Sequence, residues 1–427
     1  MELSLLRRGV PGCSAPKKAE WVSPHGNLRP LLLRQSNGYK FRETSAQSFS
    51  RLIHSSCEIE AGMTIGSSTP SQTSECFRVS LRPLPVRPKV SVLITNYNYG
   101  EFLPRSIESV LNQSWRPIEI VVSDDGSEDR SCEIVQSYID HGHPVVLVRG
   151  THLGMAGCLN AAFSASSGEI ICLLDADDYF FPGKLEAVVS AFHANPDAGF
   201  CIHRTERIDA RGRKGGVFPL FQSLPSGDCT LSTVRNSGIL MGLPPTSALS
   251  LRREVADGIF PIPRHYTGYA EQMIHRIAPL ITSICSIERA FSSWTLHRRN
   301  DANSSVVKVQ RLERELKLME MQWQEQHRFL SGHHKTMAAE LRPLQKNALY
   351  LKMRYINGRL SGDKDSNLSH RMLYKMPEVR RSYLGIFWRY SNRLPRSVFK
   401  KSIDLIETQG GFKHFLERFL GRESSVA

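Results

Sequence analysis

A mostly parallel α/β sheet with helices on both faces is the fold this chain predicts, on three observations. Apolar runs at 90–94, 118–123, 145–148 and 170–174 alternate at short intervals with stretches whose apolar residues recur at helical spacing. The run at 170–174 is continuously apolar, as a strand buried on both faces should be. Polar clusters follow three of the four runs: Thr95-Asn96-Tyr97-Asn98, Asp124-Asp125 and Asp175-Ala176-Asp177-Asp178. In open α/β sheets ligands bind at the carboxyl ends of the strands, so these clusters mark one edge as the site.

Taken in order, residues 1–87 are rich in Ser, Pro, Arg and Gln without a sustained period. They read as a largely irregular N-terminal extension, with a short strand near 75–82 and a Pro-spaced linker, Leu81-Arg82-Pro83-Leu84-Pro85-Val86-Arg87-Pro88. Residues 88–300 read as the sheet domain. After the first strand, Leu103, Ile107, Val110 and Leu111 line one face of a helix over 101–111. A second helix is expected at 130–140. A third, over 153–164, carries Leu153, Ala156, Leu159, Ala162 and Phe163. Residues 301–427 read as a basic helical region. In it Val309, Leu312, Leu316, Met319 and Trp323 form a narrow apolar seam, suited to docking on the chain's own core or to pairing with a second copy in a homo-oligomer.

Charge is unevenly placed. The net +14 divides into 12 basic and 6 acidic groups over 1–88, 17 and 22 over 89–297, and 26 and 13 over 298–427. An acidic middle between basic ends is not the profile of a nucleic-acid binder, and no recognised nucleic-acid module is present. The segments around 383–390 and 412–420 mix aromatics with Lys and Arg, which suits either a helical subdomain or peripheral contact with an anionic membrane. Nine cysteines without CxxC spacing, several in apolar runs, fit reduced packed thiols. No signal-peptide core and no run of 18 apolar residues is seen, so the expected location is cytoplasmic, with peripheral contact at the inner face of the membrane.

Three carboxylates in four positions repel one another unless a cation sits among them, so Asp175, Asp177 and Asp178 suggest a hard divalent metal and the phosphates it accompanies. No GxGxxG and no P-loop occurs, which argues against dinucleotide dehydrogenases and P-loop NTPases. A nucleotidyltransferase shares the sheet-and-metal logic, but its first loop usually carries Gly with Lys or Arg, and Thr95-Asn96-Tyr97-Asn98-Tyr99-Gly100 has no positive charge.

Five blocks together resemble the signatures of family 2 glycosyltransferases: the run 90–98, Ser106-Ile107-Glu108-Ser109-Val110-Leu111-Asn112-Gln113-Ser114, Asp124-Asp125-Gly126-Ser127, Leu159-Asn160-Ala161-Ala162-Phe163 and Leu174-Asp175-Ala176-Asp177-Asp178. The resemblance implies a GT-A fold and inverting transfer from a nucleotide-sugar donor, commonly a UDP-sugar, to a glycan or lipid-linked acceptor. It places Thr95 and Tyr97 near base and ribose, Asp125 on the base with Asp124 beside it, and Asp177 on Mg2+ or Mn2+ with Asp175 in support. Asp178 is left between a supporting role and turn capping.

An inverting transfer needs a general base for the acceptor hydroxyl. The family's spacing leads to Glu271, the only carboxylate between Asp257 and Glu288, where relatives carry Asp. That departure keeps open a fold-retaining nucleotide-sugar- or glycan-binding protein without turnover. The resemblance also sets Thr246 or Ser247 toward the acceptor and His297 near the donor phosphate or metal.

Overall fold

The computed structural model describes residues 78–408, except 210, 220–222, 267, 298–308, 364–365 and 383. Expectations for residues 1–77 and 409–427, including the segment at 412–420, lie outside the described residues.

The first half alternates as its periodicity requires: β1 (Val90–Asn96), α1 (Leu103–Leu111), β2 (Ile118–Asp124), α2 (Ser131–Asp140), β3 (Val145–Arg149), α3 (Gly154–Ser164), β4 (Ile170–Asp175) and α4 (Lys184–Ala194). There follow β5 (Ala198–Asp209), β6 (Lys214–Phe218), α5 (Thr230–Arg235), a 3-10 turn at Thr246–Ala248, β7 (Leu249–Arg252), α6 (Arg253–Asp257), α7 (Glu271–Ile281) and β8 (Ser283–Leu296). The remainder is helical: α8 (Val309–His333), α9 (Lys335–Glu340), α10 (Ala348–Ser361), α11 (Ser366–Lys375), α12 (Pro377–Arg381), α13 (Gly385–Tyr390) and α14 (Arg396–Thr408).

The eight-stranded sheet runs β3-β2-β1-β4-β7-β5-β6, with β8 pairing β5. Strands β3, β2, β1 and β4 are mutually parallel, and β8 is parallel to β5. β7 is wedged antiparallel between β4 and β5, and β6 is antiparallel to β5. Successive side chains of a strand face opposite sides, and the core divides accordingly. Leu93, Val121, Ile171, Leu173, Phe200 and Leu251 pack with α3, α6 and α7. Val92, Ile94, Ile120, Val122, Cys172 and Leu174 pack with α1, α2 and α4. Ile170 to Leu174 are at most 1% exposed. At about 1.5–3 kcal/mol per buried large apolar side chain, this central strand sets the position of whatever follows it.

The segment before β1 is extended but not a strand over its described part, 78–82. Its one backbone ladder contact, Val79 N to Ile281 O at 2.9 Å, is too little to pair it. It is nonetheless strapped down. Arg78 bonds Asp228 and Ser283, Arg82 meets Glu254, and Val79 and Leu81 pack on the core.

The seam of α8 is spent within the chain. Leu312 joins the core formed by α10, α11, α13 and α14, while Leu316 and Met319 pack with Leu344 and Tyr350. Further along, Leu330 joins the sheet's own core beside Met337 and Leu341. Among the described residues no helix is long and apolar enough to cross a membrane.

Candidate active site

Parallel register brings the three polar clusters to one edge. Asn96 pairs with Asp124 across β1 and β2, and Thr95 pairs with Asp175 across β1 and β4. The backbone bonds Asp125 N to Asn96 O at 2.9 Å and Ala176 N to Thr95 O at 3.2 Å carry the strand pairing one residue further, and the chain beyond them is loop.

Asp124 and Asp125 are adjacent but do different work. Asp124 is buried; its Oδ1 accepts from Gly126 N at 3.2 Å and Ser127 N at 2.8 Å, and its Oδ2 from Asn96 Nδ2 at 2.7 Å and Ser127 Oγ at 2.6 Å. These four bonds close the turn after β2, as a capping carboxylate does. Asp125 accepts from Leu153 N at 2.7 Å and Gly154 N at 2.8 Å, one bond per oxygen. It therefore fixes the start of α3 and keeps a further lone pair on each oxygen for a ligand. Thr95 is half-buried in register with Asp175, and Tyr97 is 45% exposed with its ring edge-on to His152 at 5.2 Å. A cavity of about 350 Å³ lined by Tyr97, Asn98, Tyr99 and Asp129 opens beside Tyr97; none of the clustered carboxylates lines it.

The acidic turn is the electrostatic centre. One ligand atom from each of Asp175, Asp177 and Asp178 lies within 4.8 Å of the other two. Asp178 is buried, and its oxygens accept from Thr295 N at 2.7 Å, Ser247 Oγ at 2.6 Å and Ser293 Oγ at 3.3 Å. Burial, and then the charge of Asp177, push its carboxyl up to about 7. Asp175 is pushed well up by burial and by the charges of Asp177, Asp178 and Glu271, with a hydrogen bond from Thr246 acting the other way. Asp177 Oδ2 meets His297 Nε2 at 2.8 Å, and the imidazole is stacked on Phe102 at 5.0 Å and edge-on to Tyr99 at 5.4 Å. An all-oxygen set of this kind suits Mg2+ or Mn2+ and no soft metal. Asp178 Oδ1 accepts two of these bonds and Oδ2 one, whereas among the described side chains Asp177 Oδ2 meets His297 and Asp175 meets Thr246.

Glu271 is the first residue of α7 and is 8% exposed. Among the described residues its Oε2 has no hydrogen-bond partner. Burial pushes its carboxyl from 4.5 up to about 7, and its charge reaches Asp175. The chain enters this helix through Tyr269, held at φ 56°, a left-handed conformation a tyrosine adopts only when its surroundings impose it.

Thr246 and Ser247, of which one or the other was expected to face the acceptor, bond Asp175 and Asp178 of the acidic turn. Sequence reasoning missed Lys184 and Thr295. Lys184 is fully buried; its Nζ donates to Ser247 O at 3.2 Å and lies 3.3 Å from the centre of the Phe180 ring. The available signal was a lone lysine on an apolar helix face with Leu185, Val188, Val189 and Phe192. Thr295 acts through its backbone N–H, which no side-chain pattern reveals.

A mostly parallel sheet with acidic loops at one edge is the frame that the resemblance to GT-A transferases implies. Residues 91–250 match the family model described as Glycosyl transferase family 2. An uncharacterized glycosyltransferase of Nostoc sp. (strain PCC 7120) is 32% identical over 219 residues, which is 51% of this chain and 67% of that protein. The chain belongs to glycosyl transferase family 2. It is also 31% identical over 120 residues to the hyaluronan synthase of Pasteurella multocida, covering 28% of this chain but 12% of that much longer protein. Among solved structures it is similar to S. aureus TarS 1–349 in complex with UDP-GlcNAc, at 15% identity and a TM-score of 0.47 over 76% of this chain and 93% of that one.

Proposed function

We propose that the protein transfers a sugar with inversion from a nucleoside-diphosphate donor, a UDP-sugar, to a hydroxyl of a growing glycan or a lipid-linked acceptor. The observation that carries this reading is Glu271: a buried carboxylate with an unpartnered oxygen, near the acidic turn and raised to about 7. That is the state of a base able to take a proton from an alcohol near neutral pH. Glu reaches one methylene further than the Asp found in relatives, and the left-handed Tyr269 alters the approach of the chain before it.

In this reading Asp175 and Asp177 would hold Mg2+ or Mn2+, which would supply positive charge beside the nucleoside diphosphate leaving group. Asp178 stays in the scaffold and keeps the turn in place. His297 orients Asp177 through its Nε2 contact. Asp125 and Tyr97 receive the nucleoside, Asp125 through its remaining lone pairs and Tyr97 through its exposed ring face. Attack of the acceptor oxygen on the anomeric carbon forms the new glycosidic bond as the sugar–phosphate bond breaks, and Glu271 takes the hydroxyl proton. The chain's similarity to a hyaluronan synthase supports the assignment to glycan assembly.

A panel of nucleotide-sugars, scored for Mn2+-dependent thermal stabilisation of wild type and Asp177→Ala, tests the donor half. A UDP-sugar should stabilise the wild type and lose its metal-dependent effect in the variant. A panel that stabilises neither protein removes the reading. Binding without turnover in the wild type would replace it with a nucleotide-sugar-binding protein.

A further inference from the structure

Glu271 Oε2 has no hydrogen-bond partner among the described residues, so its direction follows the placement of the first turn of α7. That turn is gripped from α8, which lies outside the stretch matched by the family model. Gln322 and Gln326 are both fully buried and one helical turn apart. Gln322 Nε2 donates to Gln272 Oε1 at 2.6 Å, and its Oε1 accepts from Arg276 Nε at 3.2 Å and Nη2 at 3.0 Å. Gln326 Nε2 donates to the carbonyls of Arg276 at 2.7 Å and Gly238 at 3.2 Å. One helix of the C-terminal region thus fixes the residue after Glu271 and a residue one turn further along.

The same region also holds the end of α5, a helix in contact with α7. Arg342 N donates to Val234 O at 3.1 Å, Ser237 Oγ to Pro343 O at 3.1 Å, and Asn347 Nδ2 to Asn236 O at 3.1 Å. This segment leads into the loop at 242–245, where Pro244 is hydrogen-bonded by the His275 ring from α7. Directional bonds of this kind form in a single register and so specify position more sharply than apolar packing does, although Gln326 Oε1 and Arg276 Nη1 have no partner among the described residues.

We propose that Gln322 is a positioning residue for Glu271, acting through Gln272 and Arg276, which makes the C-terminal helices part of the catalytic apparatus. The inference rests on the reading of Glu271 as the base. Gln322→Leu removes all three bonds, whereas Gln322→Glu keeps an acceptor for Arg276. Turnover is read as UDP release from a UDP-sugar panel, and affinity as the Kd of UDP with Mn2+. Gln322→Leu should lose at least tenfold in kcat with Kd unchanged within twofold, and Gln322→Glu should recover most of the loss. In a Glu271→Gln background the Leu substitution should cause no further loss, because the group it places is gone. Gln272→Leu, at a half-buried position, carries the same expectation and stands in if Gln322→Leu does not fold.

Unimpaired kcat in Gln322→Leu, or a loss that recurs in full in the Glu271→Gln background, overturns the inference. So does a parallel fall in UDP affinity, the mark of a merely structural role. Inactive Glu271→Gln beside unimpaired Gln322→Leu sinks this inference alone. Wild-type turnover in Glu271→Gln sinks the base reading and takes this one with it.

Discussion

Glu271→Gln should make the protein more stable at alkaline pH while cutting transfer to a small residual rate. Burial raises this carboxyl from 4.5 to about 7. At about 1.4 kcal/mol per pKa unit, holding the charge well above pH 7 costs on the order of 3 kcal/mol. A raised folded pKa means the stability is fully present below the unfolded value and is lost as pH rises through the folded one. The glutamine is neutral throughout and escapes that loss, though its unmatched N–H takes back about 1 kcal/mol. The stability difference between variant and wild type should therefore move in the variant's favour by about 1–3 kcal/mol from pH 5.5 to 8.5, the charging cost discounted for residual solvation. Urea unfolding in EDTA at the two pH values measures it. Turnover should fall about a hundredfold or more, the usual contribution of a general base. A difference that stays constant with pH, or one that grows in favour of the wild type, would refute the argument, since the carboxylate would then be solvated and not poised as a base.

Two further outcomes follow from the same geometry. Asp178→Asn keeps an acceptor for Thr295 N–H and removes a buried charge, so UDP–Mn2+ affinity should survive within about tenfold, one contact's worth of free energy. Asp178→Ala strands that N–H and should cost about 2–4 kcal/mol by urea unfolding. Gly238→Ala places a Cβ 1.6 Å from Gln326 Oε1 at φ 76°, whereas Gly212→Ala has the same φ and open space. The first should lose more than about 2 kcal/mol in urea unfolding and the second about 1, separating overpacking from backbone strain.

Much of the sheet was legible because its signals are local. The expected strands at 90–94, 118–123, 145–148 and 170–174 lie within β1 to β4, and the polar clusters that follow them share an edge. What was not legible depends on partners far away in the chain. β7 is four residues long, and its antiparallel placement between β4 and β5 follows from which edge was free, not from its own pattern. Thr246 and Ser247 turn inward because the acidic turn, about seventy positions earlier, needs donors. Asp124 and Asp125 are neighbours in an acidic pair, yet one closes its own turn and the other meets α3, a division set by Ser127, Leu153 and Gly154. The seam of α8 was visible, but its occupant was not, since Leu312 and Leu330 belong to different cores.

Lys184 gives the acidic turn a tethered ion of its own. Its ammonium donates to the Ser247 carbonyl, and the Ser247 hydroxyl donates to Asp178. Burial pulls this ammonium down to about 8, so it remains charged at neutral pH. Asp178 is therefore held by the chain's own groups, so if the proposed divalent ion binds, its removal with EDTA should leave the fold of this turn intact. Under the proposed reading, loading would be docking onto a seat whose Asp178 side is already assembled when the chain folds.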